Sequence, residues 1–113
     1  MNAKQKSAFS LTGKRVMVAG HKGMVGSAIV RRLQREDCEL LTVGRDEVDL
    51  RHREDVDAWM ARHRPEVVFL AAAKVGGILA NDTLPAEFIY DNLTIETSVV
   101  HGAWKNGVAK LML

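Results

Sequence analysis

The chain has 113 residues, the length of one domain, and its 47% hydrophobic and 27% charged residues are ordinary for a soluble globular protein. Sixteen basic against 14 acidic residues leave a net charge of +2, too small to argue for nucleic acid or an anionic membrane surface. The single Cys38 has no internal disulfide partner and fits a reducing, cytoplasmic setting. No stretch reads as a membrane span, and residues 1–13 lack the apolar core of a signal peptide. Met1 to Ser10 reads as a mobile tail, so residues 1–13 are set apart from a folded unit over 14–113.

In chain order, Lys14 to Ala19 reads as a buried parallel strand, because Val16, Met17 and Val18 form a continuous apolar run. Met24 to Arg35 reads as a helix, with Val25, Ala28, Ile29 and Leu33 on one side and Arg31, Arg32 and Arg35 on the wet side. Glu39 to Val43 is a second short strand. Arg51 to Arg64 is helical, anchored by Val56, Trp59 and Met60 and stopped by Pro65. Glu66 to Ala71 is a third strand, with Val67, Val68, Phe69 and Leu70 fully apolar, and a loop with Gly76, Gly77, Asn81 and Asp82 follows it. Pro85 to Lys105 is a long helix carrying Phe88, Ile89, Leu93, Ile95, Val99 and Val100, and Gly107 ends it as a C′ residue. Ala109 to Leu113 is a fourth strand of buried type. Trp59 and Trp104 fall within helical patterns and read as packing residues.

This βαβαβαβ alternation predicts an α/β fold of Rossmann type with a parallel sheet and strand order 3-2-1-4. The topological switch is then expected between strands 1 and 4. The fourth strand has no loop after it, so the chain reads as the first half of a larger domain, cut at strand 4.

The chemistry is concentrated between the first strand and the first helix. Gly20, Gly23 and Gly26 are spaced G-x-x-G-x-x-G over Gly20-His21-Lys22-Gly23-Met24-Val25-Gly26. A glycine permits the sharp strand-to-helix turn. A missing side chain at Gly23 lets backbone approach a pyrophosphate, and one at Gly26 lets the helix sit close on the sheet. The helix N-terminus then offers free N–H groups and a positive dipole end to phosphates. A Walker A loop is excluded, because no Gly-Lys-Ser/Thr follows at its spacing.

The end of strand 2 reads the ribose 2′ position: an acid there binds the 2′-OH of NAD, and an arginine accommodates the 2′-phosphate of NADP. The chain has Gly44-Arg45-Asp46. Gly44 leaves room for the phosphate, Arg45 can pair with it bidentately, and Lys22 adds charge, so NADP is favoured. The competing reading makes Asp46, twenty positions after Gly26, the ribose acid. Asp49-Leu50 either places a carboxylate and an apolar edge against the adenine or supplies the acid that begins the next helix. Ala71, Ala72 and Ala73 suit close approach of a ribose or nicotinamide, and tight packing equally well. Lys74 reads as a surface residue. The four histidines, His21, His52, His63 and His101, lie at no metal-ligand spacing with Cys38.

At Gly20-His21-Lys22-Gly23-Met24-Val25-Gly26-Ser27-Ala28-Ile29 and Leu70-Ala71-Ala72-Ala73-Lys74-Val75-Gly76-Gly77-Ile78 the chain resembles the GDP-L-fucose synthases. That family comprises NADP-dependent epimerase-reductases of the extended short-chain dehydrogenase superfamily. Asn81-Asp82-Thr83, Pro85-Ala86, Phe88-Ile89-Tyr90 and Asn92 extend the likeness, which covers Arg15 to Leu113. The resemblance implies a GDP-sugar substrate, GDP-4-keto-6-deoxy-D-mannose, epimerised at C3 and C5 and reduced at C4 by NADPH. It places Gly20, Gly23 and Gly26 on the pyrophosphate and matches Lys22 and Arg45 to the basic positions near the 2′-phosphate. It also implies a homodimer that buries the helix Pro85 to Lys105. The family's catalytic Ser, Tyr-x-x-x-Lys pair and acid–base residues lie beyond a fourth strand, so no catalytic residue is assigned within this chain. The single Tyr90 is followed four positions on by Thr94, not Lys. The alternatives are another nucleotide-sugar epimerase or dehydratase of the superfamily, and a non-catalytic NADP-binding module that acts through a partner.

Overall fold

The structure is a computed structural model that describes residues 9–44, 46–72 and 85–113. Its elements, in order, are β1 (Arg15–Ala19), α1 (Met24–Leu33), β2 (Glu39–Val43), α2 (Arg53–His63), β3 (Val67–Leu70), α3 (Pro85–Lys105) and β4 (Lys110–Met112). The expected loop with Lys74, Gly76, Gly77, Asn81 and Asp82 lies outside the described residues.

The α/β class with a parallel sheet holds, but the strand order differs from the expected 3-2-1-4. The four parallel strands run β2-β1-β3-β4. The third strand lies on the far side of β1, not beyond β2. Its Val67-Val68-Phe69-Leu70 run is apolar on both faces, which suits an interior slot between β1 and β4. β2 is mostly half-exposed and begins at exposed Glu39, so it tolerates the edge. The chain reverses direction across β1, so the topological switch lies between β1 and β3 rather than between strands 1 and 4. In open α/β sheets, ligands bind in the crevice at the carboxyl ends of the strands flanking that switch.

Residues alternate between two cores. Met17 and Ala19 of β1 join Val68 and Leu70 of β3 beneath α2 and α3, with Val56, Met60 and Val99. Val16, Val18 and Val67 face the other way, against Leu33, Ile29 and Val30 of α1. The described part of the expected 1–13 tail is held against this second face. Leu11 packs on it, Gly13 donates its N–H to Asp37, and the Phe9 ring lies 5.4 Å from both Lys14 and Lys110 Nζ.

The helices end where their local chemistry dictates. α1 stops at Leu33 rather than Arg35, because the N–H groups of Arg35 and Glu36 turn back to the carbonyls of Arg32 and Leu33 in tighter turns. α2 ends at Arg64, which takes a left-handed conformation (φ 50°, ψ 56°) immediately before Pro65. At the end of α3, Gly107 has φ +72° and donates to Trp104 while Val108 donates to Ala103, a Schellman closure.

One expectation about packing is corrected. Trp59 is buried and stacks on His63 at 4.0 Å, but Trp104 is 76% exposed, because it lies on the side of α3 turned away from α2. Ile89, Leu93 and Val100 share that exposure. β4 is the last strand of the described sheet, with Leu111 half-buried between exposed Lys110 and Met112.

α2 begins at Arg53 rather than Arg51, because Asp49 organises the two residues before it. Arg51 donates from its backbone N–H and Nε to Asp49 Oδ1 at 3.0 Å, and from a terminal nitrogen to Oδ2 at 2.8 Å. These side-chain hydrogen bonds, with the backbone bond, hold the Asp49 carboxyl down at about 2.

Two predictions follow the packing. Met60 is fully buried between α2, α3 and the sheet, so Met60→Ala should cost about 2–5 kcal/mol, read from the urea midpoint at unchanged slope. For Asp49 the folded value is depressed, so its stabilisation is complete above the unfolded value of about 3.9 and is lost as pH falls toward 2. The melting temperatures of the parent chain and Asp49→Asn should differ at pH 6 and converge between pH 4 and 2. A constant difference across that window would remove the Asp49–Arg51 clasp as its source.

Candidate dinucleotide site

The three glycines of the β1–α1 turn have three separate physical reasons. Gly20 has φ +87°, and a Cβ there would lie 2.6 Å from the Ala72 backbone. Gly20 therefore allows both the turn and the close passage of the chain leaving β3. Gly26 is buried in the first turn of α1, where a Cβ would collide with the Gly20 carbonyl. Gly26 therefore sets how closely α1 packs on the turn.

Gly23 differs from both. It is the N-cap of α1 with φ −75°, a value that any residue adopts. It is exposed, and a Cβ would find only the Gly20 carbonyl, at 3.7 Å. The described fold has no need of a glycine there. A bare backbone at that point keeps the mouth of the helix clear.

The N-terminus of α1 suits an anion. No side chain caps it, and its first turn holds no acid. The N–H groups of Ser27 and Gly23 are bonded to the carbonyls of Gly23 and Gly20. Those of Met24, Val25 and Gly26, by their place in the first turn, have no intrahelical acceptor. Lys22 is exposed beside this turn, and Met24 and Val25 are 90% and 62% exposed. The Ala71 N–H donates to the Ala19 carbonyl at 2.9 Å, and Gly20 N–H donates to Val43 at 3.3 Å. The carboxyl ends of β1, β2 and β3 thus converge on one crevice with the glycine turn at its centre.

The remaining expected residues divide. Ala71 and Ala72 are half-buried beside Gly20, and Ala72 also packs on the core beneath α2 and α3. Arg45 and Ala73 lie outside the described residues. Leu50 packs on the same core, and the Asp49 carboxylate is engaged by Arg51. Asp49 thus lies in the turn that precedes α2, with its side chain still partly exposed. Gly44, at the end of β2, has side chains close to it. A Cβ there would lie 2.9 Å from Asp46 Oδ1 and 3.2 Å from His21 Cε1, so the chain's own side chains border it. A groove of about 470 Å³ runs from Met24 and Val25 along α1 past Ile29 and Leu33 to Phe69. Arg32 is its one charged lining residue.

These features agree with what the chain is similar to. The GDP-L-fucose synthase of Sinorhizobium fredii (strain NBRC 101917 / NGR234) is 54% identical over 104 residues, which is 92% of this chain and 33% of that protein. The GDP-L-fucose synthase of Escherichia coli (strain K12) is 52% identical over 103 residues, covering 90% of this chain and 32% of that one. Among solved structures, the GDP-mannoheptose C4 reductase MlghC from Campylobacter jejuni, with NADP bound, superposes with a TM-score of 0.83 at 37% identity, covering 92% of this chain and 33% of that one. The chain spans about a third of the length of these relatives. A model of the NAD dependent epimerase/dehydratase family matches residues 16–113. With a parallel sheet, a glycine turn at its switch point and that match over nearly its whole length, the chain belongs to the NAD dependent epimerase/dehydratase family.

Proposed function

We propose that residues 14–113 bind NADP(H) and form the N-terminal, cofactor-binding portion of an enzyme of GDP-L-fucose synthase type. The observation that carries this reading is Gly23, a glycine that the described fold does not require, set at the uncapped N-terminus of α1. The free N–H groups of the first turn and the helix dipole hold the pyrophosphate. Lys22 and Arg45 take the 2′-phosphate, and Ala71 to Ala73 line the approach to the ribose and nicotinamide. Bound NADPH supplies a hydride to C4 of the sugar. The residues of this chain bind and orient it, and the proton donors and acceptors come from beyond strand 4.

In the whole enzyme the substrate is GDP-4-keto-6-deoxy-D-mannose, epimerised at C3 and C5 and then reduced at C4 to GDP-L-fucose, in the cytoplasm. The relatives named GDP-L-fucose synthase, up to 54% identical, support that assignment. A second reading, C4 reduction of a GDP-heptose, is favoured by the likeness to the Campylobacter jejuni reductases at 37–39% identity. Ile89, Leu93, Val100 and Trp104 give α3 an exposed apolar side, which supports burial of this helix in a homodimer.

Gly23→Val should leave the far-UV circular dichroism and melting temperature of the chain nearly unchanged. Its NADPH affinity, measured by calorimetry, should fall at least tenfold. Unchanged affinity in the folded variant would remove Gly23 from the site. With no Tyr-x-x-x-Lys pair, the 113-residue chain should also give no multiple-turnover product from NADPH and the 4-keto sugar nucleotide. Sustained formation of GDP-L-fucose above a mock purification would contradict the assignment of catalysis to segments beyond strand 4.

A further inference from the structure

We propose that Arg51 is a positioning residue for the adenosine half of the bound dinucleotide, because it braces the turn between β2 and α2 against α3. The inference rests on the cofactor reading above and adds to it a side chain that acts through the backbone rather than by touching the ligand.

The turn leaves β2 at the carboxyl end of the sheet, beside the glycine turn, where the Gly20 N–H donates to the Val43 carbonyl. A dinucleotide fold lays the adenosine half of its ligand on that side of the crevice. The start of the turn is closed by its own backbone: the N–H groups of Glu47 and Val48 both donate to the Gly44 carbonyl, at 3.0 and 3.1 Å. Val48 is buried in the core and Leu50 packs against it. At the far end the His52 N–H donates to the Asp49 carbonyl at 2.9 Å. Arg51 links that end to α3.

One guanidinium serves two carboxylates from different parts of the chain. Its Nε and one terminal nitrogen grip the two Asp49 oxygens at 3.0 and 2.8 Å. The other terminal nitrogen lies 3.5 Å from Oδ1 of Asp91, 40 residues further along the chain in α3. The Arg51 backbone makes the same connection, because its carbonyl accepts from the Ser98 hydroxyl of α3 at 3.5 Å. Asp91 and Ser98 are 5% and 4% exposed. The Arg51 side chain is 46% exposed, so it fills no core, and its planar fork is what allows it to reach both acids at once.

A buried carboxylate holds a partner charge firmly, because an uncompensated charge at such a place is costly. Asp91 therefore pins the guanidinium to α3, and the guanidinium pins Asp49 and the turn around it. The turn is set before a ligand arrives, which lowers the ordering cost of seating the adenosine half. The N–H groups at the start of α1 belong to another element and do not depend on this brace.

The test compares the 15N-labelled parent chain with Arg51→Met, which keeps a long side chain without the fork, and with Asp91→Asn, which removes the buried charge that holds it. In both free variants the amides of Val48 and His52 should exchange with solvent about tenfold faster, while those of Met17 and Val18 in β1 keep their parent rates. Both variants should bind NADPH about fivefold more weakly, and the amides of Gly23, Met24, Val25 and Gly26 should still reach the parent's end positions at saturation. Unchanged NADPH affinity in the folded variants overturns this inference and leaves the cofactor reading standing. A loss of affinity in which the β1 amides accelerate as much as those of the turn also overturns it, because the residue then acts on the whole fold. Failure of the parent chain to bind NADPH overturns the cofactor reading and this inference with it.

Discussion

Three backbones meet without room for a side chain where β1 ends. The Gly20 carbonyl lies where Gly26 would carry a Cβ, and the Ala72 backbone lies where Gly20 would carry one. This close approach joins α1, the β1 turn and the chain leaving β3 into one rigid corner. The position of every other group in the crevice depends on it. The N-terminus of α1 is aimed by its contact through Gly26, and the mouth of the crevice stays open because Gly23 adds nothing to it. Backbone packed this tightly transmits strain rather than absorbing it, so the corner holds the helix dipole in one direction.

Behind the corner, the sheet is supported unequally. One face carries α2 and α3 over a core that includes Met17, Met60, Val68 and Val99. The other carries α1 over Val16, Val18 and Val67. The site lies at the edge of both cores, so its residues are held by the sheet rather than by a loop of their own. This arrangement fixes the N-terminus of α1 before any ligand arrives, which would reduce the ordering cost of the proposed phosphate binding.

How much of this was legible in the sequence depended on whether the information was local. The apolar runs at Val16–Val18 and Val67–Leu70 and the glycine spacing mark strands and turn, and β2 and α3 have the bounds that the pattern predicts. Strand order was not legible. A βαβαβαβ alternation is equally compatible with 3-2-1-4 and 2-1-3-4, and the choice is made by which strand needs an interior slot. The Val-Val-Phe-Leu run of β3 carried that information, because a strand apolar on both faces is poorly served by an edge. The role of Asp49 was ambiguous for a related reason: its partner Arg51 is two residues away, and only geometry shows that the carboxylate is already engaged. At Gly44 the pattern shows a small residue at the end of β2, and only the structure shows that Asp46 and His21 lie next to it. Trp104 and Leu93 fit a helical pattern, yet α3 has apolar residues on two sides and α2 covers one.

The central claim is that phosphate is held by the backbone at the N-terminus of α1. The most direct test is an NADPH titration of the 15N-labelled chain, followed by the amide resonances of Gly23, Met24, Val25 and Gly26. The account predicts that these four amides shift together, saturate at one dissociation constant, and respond more strongly than amides on the outer side of α3 such as Leu93 and Trp104. Saturable binding that moves other amides and leaves these four in place would contradict it.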